Sequence, residues 1–332
     1  MAVDPSVHVL ALTTNEKAPF FTQQVEALRQ RGVRTTVLAV PGDPTAPDGR
    51  GPSDYVRFGA SVRRHVDSSV DLVHAHYGLT APMALAQRQC PVVLSLWGSD
   101  LHHRWIAPIS RLAARACAEV IVMSGEMDEM LDVNAHVIPD GVDLERFRPM
   151  NHQRARRSVG WSSEGYDVFF PYSKDRPVKD YPRARRIVGR VDRRMDAPVR
   201  LRTVSDVPHE RMPRYMNAAD ALLLTSKSEG SPNAVKEALA CNLPVVATAV
   251  GDVPERLDGV GPSRFGENDR ALVDGLVDVL RSGERSNGRE TVRSISIERA
   301  TDRHLAVYEG VVDAAIDVER DTVTRRSREQ AR

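Results

Sequence analysis

The chain has 332 residues, 41% of them hydrophobic and 27% charged, with a formal net charge of +1 at pH 7. That length exceeds one ordinary core and points to two domains of roughly 150 residues each, while the near-neutral charge gives no steering toward nucleic acid. Three widely spaced cysteines (Cys90, Cys117, Cys241) without a Cys-x-x-Cys point to a reduced setting without structural disulfides.

The N-terminus MAVDPSVHVLALTT has no basic start followed by a long apolar run, unlike a signal peptide. No stretch approaches the roughly 18 continuous apolar residues of a membrane span. A cytoplasmic location is expected, with any membrane contact made from the side.

From the start of the chain, VHVLALT (7–13), VRTTVLAV (33–40), VDLVHAHY (70–77), PVVLSLW (91–97), EVIVMS (119–124) and HVI (136–138) read as strands. They are nearly continuously apolar, as strands buried on both faces should be. Between the first two lies FTQQVEALRQRG, an amphipathic helix that stops at Gly32. PDGVDLERFRPM (139–150) and the charged run after it interrupt the rhythm, which places a domain boundary there. DVFFPYS (167–173), VRLRTVS (199–205), ADALLLTS (219–226) and LPVVATAV (243–250) repeat the scheme. Strands alternating with helices mean parallel sheets covered by helices. The expected fold is α/β, two Rossmann-like doubly wound domains facing a cleft, over 1–155 and 156–305. Residues 306–332 form a returning helix plus a charged tail, and 319–332 are expected to fray for want of apolar content.

Neither half carries Gly-x-Gly-x-x-Gly after its first strand: LALTTNEKAPFF follows one and KDRPVKDY the other, while GVGPSRFG (259–266) is misplaced and misspaced. A nicotinamide-dependent oxidoreductase is disfavoured on this ground. No Walker loop, His-Glu-x-x-His, Gly-x-Ser-x-Gly or Asp-x-Asp is present.

In SEGSPNAVKEALACNLPVV (228–246) two acidic residues, Glu229 and Glu237, stand eight positions apart around a Ser-Pro-Asn turn. Ser231 can cap the helix with Pro232 at its first position. Asn242 tolerates the left-handed exit and Pro244 prevents continuation. A helix that opens at the end of a strand offers free amides and a dipole to an anion. Lys174, Arg176 and Lys179 follow the first strand of the same half and could balance a diphosphate, although each could equally be an ordinary solvated charge.

At these residues the chain resembles retaining GT-B glycosyltransferases of the large family 4 type. SEGSPNAVKEALACNLPVVATAVGDVPE resembles that family's Glu-x7-Glu segment, and FFPYSKDRPVKDY its Gly-Arg…Lys loop. PVVLSLWGSDL resembles its Gly-Ser-Asp turn, and AHVIPDGVDLERFRP the stretch leading to its linker. The resemblance spans roughly 5–315 and is more specific in the second half. It implies that Glu229 contacts hydroxyls of the transferred sugar, Glu237 binds the ribose, and the Asn233 and Ala234 amides hold the distal phosphate. Lys174 (where Arg is usual), Arg176 and Lys179 would neutralise the leaving diphosphate, with Ser231 and Gly251 beside them. Catalytic roles fall to Glu229, Lys179 and Asp100, and an acceptor site to Trp97, Asp100 and His76. Helix capping is the alternative for Asp100 and a buried structural role for His76.

The implied donor is a nucleotide sugar, a UDP-sugar first and GDP-mannose second, without a metal or other cofactor. The acceptor is a glycan, lipid-linked or small-molecule hydroxyl. Two departures stand out: Trp97 replaces the family's common His before Gly98, and NEKAPFF (15–21) replaces its double glycine. A sugar-nucleotide 2-epimerase and a catalytically silent nucleotide-sugar-binding protein remain alternatives. HHRWIAPISRLAARA (102–116) mixes Arg, His and apolar residues, which would suit peripheral contact with a membrane as well as an ordinary core helix.

Overall fold

The computed structural model describes residues 7–42, 49–204 and 207–330, with side chains as far as Asp317. Two compact units emerge: Met1–Pro139 together with Glu298–Arg332, and Asp140–Ile297. The first crossing thus falls at Pro139–Asp140, upstream of the expected 155–156. The second falls at Ile297–Glu298, upstream of 305–306.

The first unit holds a six-stranded sheet in the order β2-β1-β3-β4-β5-β6. Its strands are β1 (His8–Thr13), β2 (Arg34–Ala39), β3 (Leu72–His76), β4 (Val92–Ser95), β5 (Glu119–Val122) and β6 (His136–Val137), all parallel. β1, β3 and β4 are buried throughout, which accounts for their unbroken apolar character. The helix Pro19–Gln30 begins with its proline at the first position, and Gly32 at φ +92° turns the chain into β2. The long helix Ile297–Gln330 returns to this unit, placing Ala300, Leu305, Tyr308 and Val311 in the core that holds Leu10, Val73 and Leu94.

The second unit holds β7 (Tyr166–Phe170), β8 (Val199–Thr203), β9 (Ala221–Leu224), β10 (Val245–Thr248) and β11 (Arg264–Gly266). Their order is β11-β10-β9-β7-β8, again all parallel. Side chains alternate between the two faces of a strand, and here both faces are buried. Val168, Phe170, Leu223 and Val246 pack with Ile187, Leu272 and Leu276. Phe169, Leu222, Leu224 and Ala247 pack with Val235 and Leu239 on the other face.

In both sheets the order of strand addition reverses at an internal strand. β1 has β2 on one side and β3 on the other; β7 has β8 on one side and β9 on the other. Ligands of open α/β sheets bind outside the carboxyl ends of the strands at such a switch point. In the second unit that point lies between the loops after β7 and β9.

All ten expected strands are present. β11 was missed because Arg264 and Phe265 are exposed and Gly266 is half-buried, and they sit among glycines and a proline that read as loop. The tail expected to fray from 319 continues the last helix to Gln330, its Arg, Glu and Gln being good helix formers; residues 331–332 lie outside the described residues. Among the described residues no helix is long and apolar enough to cross a membrane.

Candidate functional site

After β7 the chain passes Tyr172 and reaches the single turn Pro177–Lys179. Asp180, at φ +50°, then starts the helix Tyr181–Asp192 by accepting the Arg183 amide. This loop is fastened to the one after β9. The Thr225 hydroxyl donates to the Lys179 carbonyl at 2.8 Å, and the Lys227 amide donates to the Val178 carbonyl at 2.9 Å. The result brings the buried Lys179 ammonium onto the Glu229 carboxylate as an ion pair.

Lys179 also lies 4.1 Å from the centre of the Tyr172 ring, an attractive cation–π arrangement. Burial pulls the Lys179 ammonium below the ordinary lysine range; Glu229 opposes that shift and Arg176 adds to it. Loss of solvent, reinforced by the Glu229 and Glu237 charges, holds the Tyr172 hydroxyl well above the ordinary phenol range. Arg176 lies 5.9 Å from the Tyr172 ring and Lys174 5.4 Å from the Tyr181 ring. Both are exposed, and neither has an ion-pair partner among the described residues.

The helix Asn233–Ala240 opens just beyond Glu229, so the Asn233 and Ala234 amides stand at its start. The expected Ser231 cap is corrected: Pro232 is the flanking residue, and no side chain caps the helix. The Ser231 hydroxyl donates instead to Asp252 Oδ2 at 2.7 Å, a carboxylate that also receives Arg256 Nε at 2.9 Å. A charged acceptor with fixed geometry outcompetes a backbone cap. Cys241 ends the helix and Asn242 follows at φ +53°, the left-handed exit expected of it.

Gly251 runs beneath the same turn at φ +53°. A Cβ there would stand 2.3 Å from the Gly230 carbonyl oxygen and 2.8 Å from that of Glu229. The Asp252 amide donates to Gly230 O at 3.1 Å. Gly251 therefore sets the height of the Glu229 turn through close backbone approach.

Glu237 is placed one turn into the helix, where its Oε1 accepts His209 Nε2–H at 2.7 Å. Burial alone would lower the His209 pKa, but the hydrogen bond to Glu237 and its charge outweigh this and raise it. Phe147 flanks the imidazole with ring centres 5.3 Å apart. Asn233 Nδ2 donates to Asp140 Oδ2 at 3.1 Å and Lys236 Nζ to the Asp140 carbonyl at 2.9 Å, which ties the helix to the PDG segment. Tyr172, His209 and Asp140 were missed as site residues. The PDG segment and FFPYSKDRPVKDY, which holds Tyr172, carried a signal through the family resemblance; nothing in its spacing marks His209.

The first unit contributes a different arrangement. His76, at the end of β3, is buried and packs on His74 with ring centres 3.8 Å apart. Phe21 meets it edge-on at 4.9 Å and Trp97 stacks at 6.0 Å. Burial, with His304 adding to it, drives the His76 pKa down to about 3. Trp97 is half-buried and also touches Phe20 at 4.6 Å, so it joins a small aromatic wall of the NEKAPFF segment.

Asp100, expected on the acceptor side with helix capping as the alternative, is held by the backbone. It is buried, with Oδ1 accepting the Gly78 amide at 2.8 Å and Oδ2 the Trp97 amide at 2.5 Å. Both oxygens thus tie the loops after β3 and β4 together, and desolvation pushes its carboxyl up to about 7. Gly98 at φ +105° makes the turn that puts it there.

Two doubly wound parallel-sheet domains, the second with an ion pair and a helix start at its switch point, define a GT-B architecture. The description "Glycosyltransferase Family 4" matches residues 18–146, and "Glycosyl transferases group 1" matches residues 182–282. The chain belongs to the family 4 type of GT-B glycosyltransferases.

Among curated relatives, glycosyltransferase TuaC of Bacillus subtilis (strain 168) is 28% identical over 238 residues, 61% of this chain and 57% of its own length. D-inositol 3-phosphate glycosyltransferase 1 of Catenulispora acidiphila is 25% identical over 308 residues, 73% of each chain. The D-inositol 3-phosphate glycosyltransferase of Mycobacterium marinum is 27% identical over 319 residues, 77% of this chain and 68% of its own.

Among solved structures, sucrose-phosphate synthase from Thermosynechococcus elongatus superposes with a TM-score of 0.77 at 16% identity, over 92% of this chain and 100% of that one. Anabaena HepE, solved with UDP and glucose, gives 0.67 at 12% identity over 92% and 100%.

Proposed function

We propose that the chain transfers a hexosyl or N-acetylhexosaminyl group from a nucleotide diphosphate sugar to a hydroxyl acceptor with retention of configuration. A UDP-sugar is the first choice of donor and GDP-mannose the second. A glycan, lipid-linked or small-molecule hydroxyl receives the sugar. The observation that carries this reading is the Lys179–Glu229 pair at the β7/β9 switch point, beside the opening amides of the helix Asn233–Ala240.

Breaking a glycosyl–phosphate bond builds negative charge on the leaving oxygen and positive character on the sugar ring. Lys179 and the two amides meet the first, with Lys174 and Arg176, unpaired among the described residues, available to add charge without a metal. Glu229, bonded to Lys179, is set to receive sugar hydroxyls while the lysine turns to phosphate. Glu237 presents its second oxygen to a ribose diol. Fixed donors aimed at developing charge stabilise the transition state more than the ground state. Glu229 and Glu237 are thus a binding pair, unlike the acid and nucleophile of a glycoside hydrolase.

Incubation with a panel of nucleotide sugars, with the sugar product followed by NMR, tests this. Transfer or slow hydrolysis giving a product of unchanged anomeric configuration is expected. An isomerised donor would assign the fold to epimerisation, and tight binding without either product would make it a silent binder.

A further inference from the structure

We propose that the first unit docks on an anionic lipid bilayer through the surface formed by Trp105, Ile109 and Leu112. These three are 69%, 41% and 68% exposed. They recur at the spacing that keeps them on one side of the short helix Ala107–Ala114 and the turn before it. The opposite side of that helix is a normal core face, with Ala107, Ser110, Ala113 and Ala114 buried. The apolar outer face is therefore an addition to what the fold requires, and exposed apolar clusters of this kind mark interaction sites.

Charge selects the occupant. From Leu101 to Ala118 the sequence has no Asp or Glu, but it has Arg104, Arg111, Arg115, His102 and His103. All five are exposed, and the three arginines give the apolar strip a cationic rim in a chain whose overall charge is only +1. Arg115 is paired with Asp132 at 2.5 Å and Arg111 Nε donates to the Met130 carbonyl at 3.0 Å. Arg104 lies 4.5 Å from the centre of the Trp105 ring and, like His102 and His103, has no ion-pair partner among the described residues.

A protruding tryptophan with an arginine beside it, flanked by Ile and Leu, suits the headgroup level of a bilayer. The indole sits there with its ring in the acyl boundary, and the guanidinium meets lipid phosphate. A protein partner would call for acidic residues to match the rim and a shaped apolar pocket; a bilayer needs only the apolar strip and the positive charge.

The location also fits the chemistry. Trp97 to Asp100 are held by the Asp100 clamp at the end of β4, and the helix Ser99–His102 leads from them straight into Trp105. A bilayer engaged by this surface would bring a lipid-linked hydroxyl to within a few residues of the Trp97 turn. The docking itself is independent of the donor-site reading, because none of its residues belongs to that site.

The test is co-sedimentation of the full chain with vesicles of phosphatidylcholine alone and of phosphatidylcholine containing phosphatidylglycerol. It is run beside the variants Trp105→Ala, Leu112→Asp and Arg104→Gln, with nucleotide-sugar hydrolysis followed as a check on folding. Binding to the anionic vesicles, lost at high salt, is expected. Trp105→Ala or Leu112→Asp should weaken it by about tenfold or more, and Arg104→Gln by about fivefold, with hydrolysis unchanged. No binding to anionic vesicles, or binding equal in wild type and all three variants, would overturn the proposal. So would a concentration-dependent dimer that Leu112→Asp abolishes, since the strip would then face a second copy of the chain.

Discussion

The carboxyl ends of the two sheets are built on opposite electrostatic principles. In the first unit, buried groups with no ionic partner among the described residues stand at or near them: His74 is bonded to Tyr308 OH at 2.6 Å and Ser95 Oγ at 2.8 Å, His304 bonds the Ala300 carbonyl, and Asp100 bonds two backbone amides. In the second unit the same positions hold ion pairs, Lys179–Glu229 and His209–Glu237, with Asp252–Arg256 behind them. A buried group without an ionic partner shifts toward its neutral form, whereas a paired one keeps its charge at a desolvation cost. The contrast teaches which half can answer a charged ligand. Charges already gathered and fixed can be redirected to a diphosphate, while desolvated imidazoles and an aromatic wall suit hydroxyls and ring faces.

The widest break between the halves should come with acid. His76 and His304 are held down to about 3 and about 4 by burial, and His74 shifts the same way for the same reason. Unfolded imidazoles take up protons below about 6.5, so the unfolded chain binds more protons in this window and stability falls as pH drops. Asp100 acts in the opposite sense: raised to about 7, it returns stability as pH falls through that value. Three imidazoles outweigh one carboxyl. His76 and His304 should each remove about 2 kcal/mol between neutrality and about pH 4.5. Urea unfolding across that range should show the loss, and His304→Leu should lessen it. A flat profile would mean that these rings are not held neutral in the folded protein.

A smaller effect sharpens the other side. Gly251→Ala forces a Cβ onto the Gly230 carbonyl and a left-handed backbone onto an alanine, which together should cost about 1–3 kcal/mol. Because the strain lifts the Glu229 turn, turnover should fall more than thermal stability alone explains. Full activity in a destabilised Gly251→Ala would show that this turn does not position the reacting groups.

The sheets were legible because doubly buried strands write themselves as unbroken Val/Ile/Leu runs, and the helix Asn233–Ala240 because Pro232 and Asn242 bracket it. Glu229 and Lys179 could be named from their loops, and the structure brings them together. What was not legible shares a cause. Ser231 and Asp100 carry side chains that can cap, tie or catalyse, and only long-range partners decide between those uses. For Ser231 the partner is Asp252, 21 positions away; for Asp100 it is Gly78, 22 positions away. His209 lies 28 positions from Glu237, beyond the reach of any local pattern.

Calorimetric titration of UDP and GDP into the wild-type chain and its Lys179→Ala and Glu237→Ala variants bears most directly on the switch-point site. The wild type should bind one of the two nucleotides, and each substitution should weaken that binding by about tenfold or more, as loss of a charged hydrogen-bond partner does. Undiminished affinity in both variants would place the nucleotide elsewhere and contradict the assignment.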